Sequence, residues 1–390
     1  MQFVTRALLM VGGLLALPAH ATPFTLDNTF GTGGKSTAVS GNSLFRGLFA
    51  DTDSNVYVLT KDPNAVYFVT KRLASGAADT SFGSSGLVQQ DRTGDGYDAY
   101  FSLCSDPATG DVLIVGGGNG INGNNAVLAV RVDSSGAVVT GWGTNGLASI
   151  GVTGHVLGAM ACRFRNDGGV TVVGVDGTGG LIMQLTSAGA LDNSGTFPGM
   201  VSFTPNIPPY DQFSLTQLAF APDGGLFVAG IATQPDPTFS RNQDVLVAKF
   251  TPGGVLAWLA IADLGGVSDF AAGLLPEADG SVRAFGVEVP GIPLLIIGRF
   301  EADGTPDKHY AKGRMPTGDS LFLQGWDALG RILLVGSSSA NGAELVERLR
   351  GVEGLNDPVP SSGGGGGAAS PAALLGLILA TMLRRWRRAA

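Results

Sequence analysis

Pro222-Asp223-Gly224-Gly225-Leu226-Phe227-Val228-Ala229-Gly230 reads as a tight turn, then a short strand that ends on a small residue. An acidic residue and glycine between apolar runs signal a hairpin. The same strand recurs at residues 56–60, 112–116, 170–174, 282–286 and 332–336. Its last residues fall 56, 58, 56, 56 and 50 positions apart. Turn signals such as Asp51-Thr52-Asp53-Ser54-Asn55, Asn166-Asp167-Gly168-Gly169 and Asp279-Gly280 stand ahead of most copies. A third strand follows, at 69–73, 128–132, 247–250, 297–300 and, most loosely, 346–351. It runs into a second turn, for example Asp133-Ser134-Ser135-Gly136.

A further signature closes the unit: Asp79-Thr80-Ser81-Phe82-Gly83-Ser84-Ser85-Gly86, with Gly141-Trp142-Gly143-Thr144-Asn145-Gly146 and a worn Asp192-Asn193-Ser194-Gly195-Thr196-Phe197. An aromatic between glycines is expected to pack between neighbouring units while the backbone turns sharply. Each unit thus holds about four strands in roughly 55 residues. One such sheet cannot bury both faces alone, but copies arranged around an axis bury each other. The chain opens with the tail of a unit, Leu26-Asp27-Asn28-Thr29-Phe30-Gly31-Thr32-Gly33-Gly34-Lys35, and its last unit stops near Leu355 without one. The expected fold is therefore all-β, a six-bladed β-propeller whose N-terminal strand completes the last blade. An open β-solenoid is the competing architecture.

These signatures together resemble the delta-60 repeat of bacterial proteins, with its "LD-x-SFG-x-GG" and "PDG" elements. Residues 26–35 and Pro222-Asp223-Gly224 carry the likeness best. Trp258-Leu259-Ala260 and Lys308-His309-Tyr310 lack the Phe-Gly pair and depart from it.

The two ends read as addresses. Residues 1–21 carry Arg6, an apolar run, Pro18 and Ala19-His20-Ala21, the pattern of a signal peptide cut after Ala21. The body spans 22–357. A Pro/Ser/Gly linker at 358–367 includes Gly363 to Gly367, and an apolar stretch at 368–383 ends in Arg384-Arg385-Trp386-Arg387-Arg388. Those arginines would stay cytoplasmic, which leaves the body outside. This tail resembles the GlyGly-CTERM sorting signal of Gram-negative bacteria. The resemblance implies cleavage near Gly363 and Gly364 by a rhombosortase-like intramembrane protease and delivery to the cell surface or medium. An uncut anchor in the inner membrane, with the body facing the periplasm, is the alternative. The partners expected are signal peptidase, that protease, and the membrane transiently through the tail.

Composition narrows the chemistry. With 61 glycines in 390 residues, tight turns outweigh long helices. The net charge of −8 disfavours nucleic acid, and without both ends the body would hold 19 basic and 32 acidic residues. Only His155 and His309 remain beyond the signal, and no hydrolase, zinc-protease or phosphate-loop motif appears. Cys104 and Cys162 lie 58 apart, the spacing of their units, so they are expected at equivalent positions in adjacent blades. They form a disulfide if both lean toward the axis, and otherwise remain two buried thiols. Asp91, Asp95 and Asp98 in one acidic loop are candidate calcium ligands; Asp51-Thr52-Asp53-Ser54-Asn55 lacks the glycine a calcium loop needs and reads as a plain turn. The long connection 203–210 and residues 234–239 are candidate partner-binding loops.

The functional expectation is an exported, non-enzymatic scaffold that binds a surface protein or glycan, with no cofactor apart from the calcium candidate. The alternative is a propeller hydrolase or lyase with paired carboxylates at the central channel, or a quinone-dependent dehydrogenase, which the scarcity of histidine disfavours. A carboxylate enzyme requires two acids converging on the axis.

Overall fold

In a computed structural model, the described residues are 9–11, 25–37, 44–62, 64, 66–90, 99–118, 125–235, 242–262, 268–289, 294–306, 311–314, 320–337 and 344–349. The chain divides into Met1–Glu353 and Gly354–Ala390, and no residue of the second unit is among those described. Ala21, Gly363, Gly364, His309 and the candidate ligands Asp91, Asp95 and Asp98 also lie outside the described residues.

All regular structure described is strand. Two short strands come first, β1 (Leu9–Val11) and β2 (Lys35–Thr37). Blade 1 is β3 (Leu44–Ala50), β4 (Val56–Lys61), β5 (Tyr67–Arg72) and β6 (Leu87–Gln90). Blade 2 is β7 (Ala99–Ser105), β8 (Val112–Gly118), β9 (Ala126–Val132) and β10 (Leu147–Gly151). Blade 3 is β11 (Leu157–Phe164), β12 (Val170–Asp176), β13 (Gly179–Leu185) and β14 (Met200–Phe203). Blade 4 is β15 (Gln212–Phe220), β16 (Leu226–Gln234), β17 (Asn242–Phe250) and β18 (Leu256–Ala262). Blade 5 is β19 (Ser268–Pro276), β20 (Val282–Val289), β21 (Leu294–Phe300) and β22 (Ala311–Arg314). Blade 6 is β23 (Ser320–Trp326), β24 (Ile332–Ser337), β25 (Glu344–Arg348) and, as its fourth strand, β2.

Within each blade, consecutive strands pair antiparallel, and the first strands β3, β7, β11, β15, β19 and β23 touch one another in a closed cycle around the axis. The protein is thus a six-bladed β-propeller. β1 pairs parallel with the outer strand β18, Leu9 opposite Leu259.

Each second strand is an unbroken apolar run because both faces of a blade are covered by its neighbours. Val112, Leu113, Ile114 and Val115 are fully buried, as are Leu333, Leu334 and Val335. The small residue that ends these strands has a steric cause. Every first strand carries a β-bulge, at Phe45/Gly47, Tyr100/Ser102, Ala159/Ala161, Leu215/Gln217, Ala271/Gly273 and Leu321/Leu323. The bulge pushes backbone against the second strand. A Cβ added at Gly116 would overlap the Ala99 carbonyl, and one at Gly174 the Gly158 carbonyl.

The expected closure is present. Lys35 pairs with Glu347 and Thr37 with Leu345. The Asp27 amide donates to the Arg348 carbonyl at 2.8 Å, and the Arg348 amide donates to Gly34 O at 3.0 Å. Arg348 Nε donates to Asp27 Oδ2 at 2.9 Å, and Lys35 Nζ meets Glu347 at 2.8 Å. Burial pushes the Asp27 carboxyl up, but hydrogen bonds from Thr29 and the Arg348 charge outweigh that and hold it below the ordinary carboxylate value.

The aromatic signature seals neighbouring blades. Phe30, Phe82 and Trp142 are almost wholly buried. The glycine after each donates its amide to the outer turn of the next blade: Gly31 to Ser75 O at 2.7 Å, Gly83 to Ser135 O at 2.6 Å and Gly143 to Ala188 O at 2.9 Å. The turn is left-handed at three positions in each of these three copies, with φ of 54, 61 and 87° at Gly31, Gly33 and Gly34 and 57, 54 and 83° at Gly143, Asn145 and Gly146.

Candidate functional site

Two places in the ring combine space with polar groups. The first is the central channel. Its cavity, about 30 Å³, takes residues from all six first strands, among them Phe49, Ser102, Arg163, Gln217, Leu274 and Trp326. No carboxylate lines it. The six first strands together hold one acidic residue, Asp269, and two basic ones, Arg46 and Arg163. The two converging acids that channel hydrolysis requires are not on these strands.

Arg163 lies with its guanidinium carbon 4.7 Å from the centre of the Phe49 ring and donates to the Cys162 carbonyl at 3.2 Å. Burial pushes its guanidinium down to about 10.

The second place is a cavity of about 280 Å³ between blades 3 and 4. Arg165, Gln184 and Asp192 form one wall, and Phe197, Phe220 and Pro252 provide apolar surface. Arg165 donates to Asp192 at 2.6 Å, to Gln184 at 2.6 Å and to Asp167 at 3.1 Å. Ser194 hydrogen bonds, more than burial opposes, hold Asp192 below the ordinary carboxylate value, with Arg165 adding to the effect. This cavity exists where the aromatic signature is worn. Phe197 is only half-buried, and the neighbouring contact to blade 4 is a long 3.4 Å bond from the Thr196 hydroxyl to Pro252 O.

The disulfide joins Cys104 and Cys162 with Cα atoms 5.7 Å apart, but not from equivalent positions. Cys104 lies opposite Leu113, three residues before Gly116, whereas Cys162 lies opposite Val172, two before Gly174. The blade 2 hairpin closes from Asp106 N to Asp111 O, one residue longer than Arg165 N to Gly169 O in blade 3. That residue offsets the two cysteines by one, so they project from opposite faces of their strands. Both therefore enter the core shared by blades 2 and 3 and meet away from the axis.

Asp51 accepts from the Asp53 and Asn55 amides at 3.0 and 2.8 Å, which confirms a self-capped turn. Among the described residues no group of His, Cys, Asp and Glu could hold a metal. His155 Nδ1 lies 2.7 Å from Asp176 Oδ2, and the Ser202 hydroxyl donates to the same oxygen. The serine bonds the carboxylate rather than the imidazole, so this is not the nucleophile–base–orienter order of a hydrolytic triad. Of the long connection at 203–210, Ile207 is buried and Tyr210 donates to Asp244.

One recurrent feature escaped the sequence reading. The last or next-to-last position of the third strand holds Lys71, Arg131, Lys249, Arg299 or Arg348, and each meets a turn carboxylate: Asp79, Asp106 and Asp111, Asp223, Glu277, and Asp27. Blade 3 places Gln184 there and brings in Arg165 instead. A lysine or arginine recurring at the close of the third strand was the available signal.

No family model matches the chain, and no curated protein does. Among solved structures it is similar to a protein of unknown function from Dyadobacter fermentans, with 10% identity and a TM-score of 0.53, over 85% of this chain and 99% of that one. It is also similar to an alpha-L-arabinanase of Penicillium chrysogenum complexed with arabinobiose, with 10% identity and a TM-score of 0.51, over 86% and 99% of the two chains. A catalytically inactive virginiamycin B lyase from Staphylococcus aureus matches over 81% and 87% at 11% identity and a TM-score of 0.43. At such identities the likeness concerns the fold.

Proposed function

We propose that this chain is an exported, non-enzymatic propeller that binds a partner, protein or glycan, at the cell surface or in the medium. The observation that carries the reading is the cavity between blades 3 and 4. About 280 Å³, with aromatic and proline surface beside a fixed Arg165–Asp192 pair, suits one or two sugar rings or a short peptide turn. The lack of an acid pair on the first strands supports binding over hydrolysis.

The signal peptide at 1–21 and the tail that resembles a GlyGly-CTERM signal would supply the address, through signal peptidase at Ala21 and an intramembrane protease near Gly363 and Gly364. The intact mass of the protein recovered from its host tests this. A chain starting at Thr22 and ending near the glycines supports surface delivery; one retaining the arginine tail overturns it in favour of a periplasm-facing anchor. Incubation with polysaccharides, arabinan among them, tests the non-enzymatic part. Retention without change is expected, and release of oligosaccharides overturns it.

A further inference from the structure

The described arginines of the ring differ in their partners. Arg131, Arg165, Arg283, Arg299, Arg331 and Arg348 each meet a carboxylate within 3.3 Å. Arg72 is held by the Ser36 and Thr70 hydroxyls, each at 3.1 Å. Arg46 and Arg163 are the two on first strands, around the axis, and neither meets a carboxylate among the described residues. Arg46 Nε is buried without a hydrogen-bond partner. Arg163 makes one hydrogen bond, to a carbonyl, and leans on the Phe49 ring. Its guanidinium stays protonated at neutral pH despite burial. A half-buried charge without a counter-charge favours an anion beside it. No carboxylate lines the cavity beside Arg163.

The space beside Arg163 is small and polar on one side. Ser102 and Gln217 line the same cavity, and both carry hydrogen-bond donors. A volume of about 30 Å³ suits a single small ion. We propose that the channel binds one small monovalent anion, a halide or the carboxylate of a one-carbon acid, against the Arg163 guanidinium, with Ser102 and Gln217 as flanking donors. The site is independent of the partner-binding cavity between blades 3 and 4.

Bromide soaked into crystals of the wild-type protein should give an anomalous peak at the guanidinium of Arg163. In solution, the excess chloride-35 line width should fall on adding formate, because the two anions compete; a chloride signal that formate leaves unchanged would restrict the site to halides. Arg163→Met should weaken chloride binding at least about tenfold, and Arg163→Lys should retain most of it. Arg163→Met should also melt no lower than wild type in halide-free buffer, since it removes an uncompensated charge. Bromide absent from the channel overturns the proposal, as does line broadening equal in wild type and Arg163→Met. Should Arg163→Met fail to fold, the position of the bromide peak decides alone.

Discussion

The interfaces between blades 1 and 2 and between blades 3 and 4 are made from the same signature, yet only one is sealed. At the first, Phe82 is 1% exposed, stands edge-on to Tyr57 with centroids 5.8 Å apart, and is followed by a glycine whose amide reaches the next blade. At the second, the signature has drifted to Ser194-Gly195-Thr196-Phe197, the amide latch is gone and a cavity takes its place. Displacing the aromatic from beside its glycine, with Pro198 now following Phe197, accompanies the change from a stability element to a recess. The ring tolerates this because blades 3 and 4 still share a core around Ile182, Phe203, Leu215 and Leu246.

Substitutions can break or sharpen that contrast. Phe82→Ala should cost about 3–5 kcal/mol, the usual range for a buried aromatic, and Phe197→Ala less than half of that; urea midpoints of the two variants measure the difference. Equal losses would mean that the 3–4 interface is as tight as the others. Cys104→Ala with Cys162→Ala should lower stability by about 2–4 kcal/mol, locating further support at the 2–3 interface. Thermal melts with and without reductant provide the check, and the double variant should lose the reductant effect.

Smaller effects probe the turns. Gly143→Ala forces a left-handed φ of 57° on alanine and drives Cβ into the Leu147 carbonyl. About 1–3 kcal/mol of strain is expected. Gly195→Ala should stay within about 0.5 kcal/mol, since its nearest neighbour for a Cβ is Phe197 O at 3.8 Å. Acid provides the finest comparison. Asp27 and Asp192 both sit below the ordinary carboxylate value. Their contribution is present above the unfolded value, about 4, and is lost as pH falls through the lowered folded value. Melting temperature should drop over that range, and Asp27→Asn should flatten the drop more than Asp192→Asn, because Asp27 bridges the closing strands.

The repeat, the blade count and the closure by residues 26–35 were legible because each depends on periodicity and order along the chain. The cysteine geometry was not. Spacing of 58 equals the repeat, but one additional residue in the 106–111 hairpin rotates the face on which Cys104 projects. Face assignment depends on counting every turn, which a repeat length averages away. The bulge opposite Gly116 and Gly174 was likewise hidden, although its imprint, a small residue at the strand end, was read. Of the candidate sites, the channel without an acid pair could have been found by lining up the first strands, which have the weakest repeat signal. The cavity beside Phe197 was marked only by the decay of a motif. Asp91, Asp95 and Asp98 fall outside the described residues.

The last blade has a temporal consequence. The bond between Arg348 and Asp27 joins residues 321 apart in sequence. Contacts this distant form slowly, since the intervening chain must first be ordered. During synthesis, blades 1 to 5 can assemble from neighbouring segments as they emerge, whereas the ring stays open until β25 is available. For that interval β2 is an unpaired edge, and maturation of the chain can be timed by when Lys35 and Glu347 become protected from exchange with solvent.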